Sequence, residues 1–134
     1  MDESATAHSS TGSLLRPWNW PRRLKGLVAG AAIALLLYVS LAPVEEVPGV
    51  ELVWDKAEHA AAYLMLAGLG LALFPARATV VAALLLALGA AIELLQAAMG
   101  FGRQGDWRDL LANTLGMAAA IGPYLALRRI RRPS

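Results

Sequence analysis

The chain contains no cysteine, which removes both a disulfide framework and a thiolate metal site, and leaves thiols silent about redox compartment. Charge is also scarce. Asp, Glu, Lys and Arg make up 16% of the 134 residues against 57% hydrophobic ones, a balance too apolar for a soluble domain of this length. Histidine occurs twice, as His8 in the polar N-terminal tail, where it reads as inert, and as His59. One histidine with carboxylates such as Glu93 and Asp109 has no diagnostic metal-ligand spacing. The net charge of +2 is not one basic patch, because the cations gather at Arg16, Arg22, Arg23, Lys25 and at Arg128, Arg129, Arg131, Arg132. That distribution argues against nucleic acid as a partner.

What is present is a series of apolar runs of membrane-spanning length. Residues 1–15 are small, polar and without periodicity, and are expected to stay disordered. The segment RPWNWPRRLK then sets cations and two tryptophans ahead of an uncharged run, which predicts a first membrane helix over about 25–42. A cleaved leader is the rival for this stretch, but Pro43 would follow the cut and the leader would be long. Pro48, Gly49 and three glutamates in residues 43–55 take the chain out of the bilayer. A second helix is expected from Lys56 to Phe74, ended by Pro75. After the short turn PARA comes a third over 78–99, then a glycine-rich loop over 100–105, and a fourth over 106–127 with Asp106 as its N-cap. The fold class expected is all-α, a four-transmembrane-helix bundle with both termini cytoplasmic. In this division residues 1–24 form a basic N-terminal segment, 25–127 the membrane domain and 128–134 a basic tail. Counting cations by side supports the orientation: Arg77 joins the two terminal clusters to give nine inside, against Lys56, Arg103 and Arg108 outside. Aromatic residues divide between the two interfaces, with Trp18, Trp20, Phe74 and Tyr124 inside and Tyr38, Trp54, Phe101 and Trp107 outside. Such a chain belongs in a membrane, with the lipid bilayer as its first partner.

In that topology the polar residues converge at the outer face. Asp55, His59 and Tyr63 fall at i, i+4 and i+8 on one stripe of the second helix, beside Lys56. Glu93 and Gln96 stand on the third, flanked by Gly89 and Gly100. Asp106, Asp109, Asn113 and Gly116 share a stripe of the fourth. Glu93 lies roughly 9 Å inward from Met99 at about 1.5 Å per residue. A carboxyl at such depth costs about 3 kcal/mol on insertion scales and needs a partner or a function. Taken singly, Asp55, Lys56, Arg103 and Arg108 read as headgroup anchors, Gln96 and Asn113 as interhelical ties, and His59 as a packed polar residue. Their convergence makes the site.

The same residues carry a family resemblance. DKAEHAAAY (Asp55, Lys56, His59, Tyr63), IELLQ (Glu93, Gln96), Arg103 and DWRDLLANTLG (Asp106, Asp109, Asn113, Gly116) resemble the VanZ-like family, small bacterial membrane proteins named after a member associated with teicoplanin resistance. The resemblance covers about residues 54–120 and departs from the family at GFG before Arg103, where a proline-containing turn is usual. It implies a polytopic membrane protein linked to the cell envelope.

The residues then suggest a site for a polar or anionic headgroup, such as that of a lipid-linked envelope precursor. Lys56 and Arg103 would hold the anion, helped by the amides at the start of the fourth helix, while Gln96 and Asn113 fix orientation. His59 oriented by Asp55 is the candidate base and Glu93 the candidate acid; no serine or cysteine adjoins His59 as a nucleophile, and no cofactor is expected. Two other classes compete. Glu93, His59 and the aspartates would serve a proton or solute path, although the inner halves of the helices offer no polar continuation. Alternatively the cluster pins the helices as a structural module. Stripes of small residues, Gly26, Gly30 and Ala34 on the first helix and Ala112, Gly116 and Ala120 on the fourth, are expected to be close-packing surfaces.

Overall fold

A computed structural model describes residues 16–43, 55–99 and 105–131. Among these residues the regular structure is entirely helical: α1 (Arg22–Leu41), α2 (Asp55–Leu73), α3 (Ala78–Met99) and α4 (Trp107–Ile130), with short 3-10 turns at Pro17–Asn19 and Pro75–Arg77. The expected disorder of the N-terminal tail falls outside the described residues. Three of the helical stretches, Arg22–Leu41, Pro75–Met99 and Trp107–Ile130, are long and apolar enough to cross a membrane. The shortest helix, α2, is not among them, because Lys56, Glu58 and His59 load its first two turns with polar groups.

Punctuation in the sequence sets the helix ends. Pro21 precedes α1 and Pro43 follows its C-cap, Ala42. Between α2 and α3 the chain reverses through Phe74 and the Pro75–Arg77 turn, held by the Arg77 amide donating to Phe74 O at 2.9 Å. Gly70 makes this reversal tight, since a Cβ there would sit 2.7 Å from Val81 Cγ1. Asp106 caps α4 from an extended conformation, its Oδ1 accepting from the Arg108 amide at 2.9 Å. The cap fell where the sequence placed it; α4 itself runs on through Pro123 to Ile130.

Contacts at the helix ends show that successive helices run antiparallel. At one end the Lys25 ammonium lies over the Phe74 ring, and Tyr124 Oη and Arg128 Nη1 both donate to Pro75 O. The start of α1, the α2–α3 turn and the end of α4 therefore meet there. At the other end Gln96 Nε2 donates to Ser40 O at 2.8 Å, joining the ends of α3 and α1, and Lys56 reaches the start of α4.

The innermost layer is the α2–α4 seam. A Cβ at Gly116 would overlap the Ala60 carbonyl, so the two backbones touch at a distance only glycine permits. The stripe expected on α4 thus closes within the chain. On α1, by contrast, nothing lies within 4 Å of a Cβ at Gly26 or Gly30, so at these two positions the stripe expected to close-pack meets no other described residue. Tyr63, Ala67, Leu71, Val81, Leu85 and Met117 fill the core beside the seam. Outside, Leu27, Met65, Leu94 and Leu115 are about 70% exposed, while Glu93, Gln96, Asp109 and Asn113 are buried. Apolar side chains outward and polar ones inward is the reverse of a water-soluble surface and suits hydrocarbon.

Candidate functional site

The α2–α4 seam brings the polar stripes together. With Ala60 against Gly116, the preceding turns of α2 and α4 face each other, and their polar groups pair. Lys56 Nζ lies 2.8 Å from Asp109 Oδ1 and 3.2 Å from Asp106 Oδ2. The Lys56 side chain is 45% exposed and that of Asp109 only 8%, so the ammonium stands at the rim and its main partner beneath it. One turn inward, His59 Nδ1 is 3.0 Å from Asn113 Oδ1. The Asp106 carboxyl titrates below its ordinary range, chiefly because the Arg108 amide donates to it and further because Lys56 is bonded to it.

Helix α3 completes the cluster. Glu93 Oε2 accepts from the Asp106 amide at 2.9 Å, docking the start of α4 onto α3. Gly105 permits this approach, since a Cβ on it would meet Glu93 O at 2.6 Å. Gln96 is turned away, toward Ser40 O on α1. Gly89, one turn before Glu93, is closed in by side chains of two other helices: a Cβ there would lie 3.1 Å from Tyr63 Oη and 3.3 Å from Asn113 Nδ2. Among the described residues two buried side-chain atoms have no hydrogen-bond partner, Tyr63 Oη and Glu93 Oε1.

Lys56, His59, Tyr63, Glu93, Asp106, Asp109 and Asn113 are thus drawn into one end of the bundle from three helices, while Gln96 ties that end to α1. Asp55 opens α2, but its side chain lies outside the described residues, as does Arg103. Lys56 is engaged by two carboxylates, and the Asp106 and Arg108 amides at the start of α4 are taken by Glu93 and Asp106. An incoming anion would compete with these bonds. Among the described residues no three His, Asp or Glu side chains are disposed to hold a metal ion. Sequence reasoning overlooked Ser40 and Ala60, which contribute only backbone carbonyls. It noted Gly89 as a flank of Glu93, and the i, i+4 spacing of the two was the available signal.

An antiparallel helical bundle with lipid-suited faces and a polar cluster gathered at one end has the makeup of a membrane protein. The chain belongs to the VanZ/LLP1 family, whose sequence profile matches residues 27–128. The match takes in all but the first five residues of α1 and nearly all of α4, well beyond the 54–120 covered by the motifs. No curated protein and no solved structure matches the chain.

Proposed function

We propose that the chain crosses a bacterial cytoplasmic membrane four times with both termini in the cytoplasm, and that its polar end forms an outer-leaflet site for the headgroup of a lipid-linked or anionic envelope component. Binding there would contribute to tolerance of teicoplanin-type glycopeptides. The observation that carries this reading is the division of labour inside the cluster. Lys56, His59, Gln96 and Asn113 are bonded across helices, and those bonds hold the frame. Tyr63 Oη and Glu93 Oε1 are buried and unpaired, an arrangement that costs free energy until a hydrogen-bonding group arrives. A purely structural pin would leave no such groups over. In this proposal Arg103, one of the few cations on the outer side, supplies the contact to the anionic part of the ligand. His59 and Glu93 are the groups available for proton transfer if the bound molecule is also modified.

Arg103→Ala tests the reading. In cells whose glycopeptide tolerance depends on this chain, the variant is expected to abolish tolerance while the thermal midpoint in detergent stays within a degree or two of wild type. Full tolerance with Arg103→Ala would count directly against a headgroup site and in favour of a structural module.

A further inference from the structure

The end of the bundle away from the polar cluster carries cations in two roles. Lys25 and Arg128 are half-buried and are used by the fold. Lys25 Nζ donates to Trp18 O at 2.6 Å and lies over the Phe74 ring, and Arg128 Nη1 donates to Pro75 O at 3.0 Å. Arg22, Arg23, Arg77, Arg129 and Arg131 are exposed, and among the described residues their side chains make no hydrogen bond or ion pair. The elements that carry them are joined: Lys25 ties α1 to Phe74, the Arg77 amide bonds back to Phe74 O, and Arg128 ties α4 to Pro75. Five guanidinium groups thus come from three elements onto one end. Glu58, Glu93, Asp106 and Asp109 all stand at the other. Like charges gathered in this way repel one another and attract an anion from outside.

The position of the arginines names the anion. Each of the three membrane-length stretches, Arg22–Leu41, Pro75–Met99 and Trp107–Ile130, has one end in this group, so the guanidinium groups lie at the depth of a bilayer's phosphates. Trp18, Phe74 and Tyr124 mark the same interface. One turn inward, exposed apolar side chains share the faces of the arginines: Leu27 below Arg23, Val80 below Arg77 and Leu127 below Arg131, each more than half exposed. Cations above exposed hydrocarbon fit an amphiphile, whereas a soluble anion would leave the apolar half uncovered. All five groups are arginine, whose planar fork takes two oxygens of one phosphate and stays charged throughout the physiological range. We infer that this end is a binding surface for the phosphates of anionic phospholipids in the leaflet it meets, the cytoplasmic one in the topology proposed above. It shares no residue with the headgroup site at the polar end and stands apart from that reading.

The full chain is reconstituted in nanodiscs of equal parts phosphatidylglycerol and phosphatidylcholine, which share the phosphodiester and differ in net charge. The lipid retained after detergent extraction is quantified by mass spectrometry. Phosphatidylglycerol is expected to be enriched about fivefold, the equivalent of about 1 kcal/mol for one arginine at an anionic surface, and the enrichment should shrink as salt is raised. Replacing Arg22, Arg23, Arg77, Arg129 and Arg131 together by glutamine is expected to abolish the preference. A nanodisc has no sidedness, so altered insertion in cells leaves this readout intact. If that variant fails to accumulate, Arg129→Gln combined with Arg131→Gln is expected to halve the enrichment and decides alone. Lys25→Gln removes the Trp18 and Phe74 contacts instead, and is expected to lower the thermal midpoint while the lipid preference persists. Equal retention of the two lipids overturns the inference. So does enrichment that survives the arginine substitutions, which would place the contact on cations elsewhere, or enrichment that Lys25→Gln removes as completely as they do. Inorganic phosphate that strips phosphatidylglycerol at constant ionic strength would make a soluble anion the occupant and overturn the lipid assignment.

Discussion

The two ends of the bundle differ in how many of their polar side chains pair with one another. At the end formed by the start of α1 and the α2–α3 turn, side chains bond to backbone carbonyls: Lys25 to Trp18 O, Tyr124 and Arg128 to Pro75 O. Cations there lie over aromatic rings, Arg16 over Trp18, Lys25 over Phe74 and Arg128 over Tyr124. Arg16, Arg22, Arg23, Lys25, Arg77, Arg128, Arg129 and Arg131 gather at this end with no described carboxylate among them. It has the makeup of a membrane-interface anchor. At the other end Lys56 and His59 on α2 bond to side chains of α4, while Glu93 and Gln96 on α3 bond to backbone groups and Arg108 lies over Trp107; among the described residues carboxylates outnumber cations there, and two buried oxygens remain unpaired. An anchor needs only to be satisfied. A site needs groups held in place by satisfied neighbours and left open themselves.

The sharpest way to break this contrast is all-or-none. Reporter fusions after Arg77 and Arg132 are expected to read cytoplasmic, and fusions at Glu46 and Gln104 extracytoplasmic; a cytoplasmic signal at Gln104 would move the polar end to the wrong leaflet. Next in size is Glu93→Gln, which keeps an oxygen to accept from the Asp106 amide but loses the carboxyl. Function should disappear while the amount of inserted protein stays near wild type. Glu93→Leu removes the desolvated carboxyl and that bond together, so its thermal midpoint relative to the Gln variant separates docking of α4 from the cost of burial. Low accumulation of both, with normal activity per molecule, would make Glu93 structural.

Gly116→Leu should come third, at about 3 kcal/mol or more of lost stability measured by thermal or denaturant unfolding, because the side chain would be driven into the Ala60 backbone. It acts on the seam that aligns Lys56 with Asp109 and His59 with Asn113, so hydrogen exchange should rise first at the polar end. An equal rise at both ends would deny the seam that selective role. The smallest effect belongs to the anchor. Tyr124→Phe gives up one hydrogen bond to a carbonyl that Arg128 also satisfies, and should cost about 1 kcal/mol or less in the same unfolding measurement, with glycopeptide tolerance unchanged. A change in tolerance would show that the two ends are coupled.

Much of the fold was legible in the sequence because its signals are local. Pro43 and Pro75 stop helices, Asp106 caps one, and the apolar runs have the length of membrane spans, so each of the four helices falls within a few residues of its expected place. The crowding of polar residues near one end was legible too, since a 3.6-residue repeat decides which side chains share a stripe of the same helix. How those stripes pair was not. That Lys56 meets two aspartates, that His59 faces Asn113, and that Gln96 reaches Ser40 on α1 all depend on helix rotation and axial offset. Those are set by contacts such as Gly116 on Ala60 and Gly105 on Glu93, between residues distant in the chain.

By itself, then, the sequence determined the helices, their antiparallel order, the lipid-suited composition and the family, all of which follow from short-range chemistry and from motifs. Only the tertiary structure decided which polar atoms support the frame and which are left over. Whether a buried oxygen such as Tyr63 Oη finds a partner is a property of the space around it, and that space exists only once three helices have closed on Gly89.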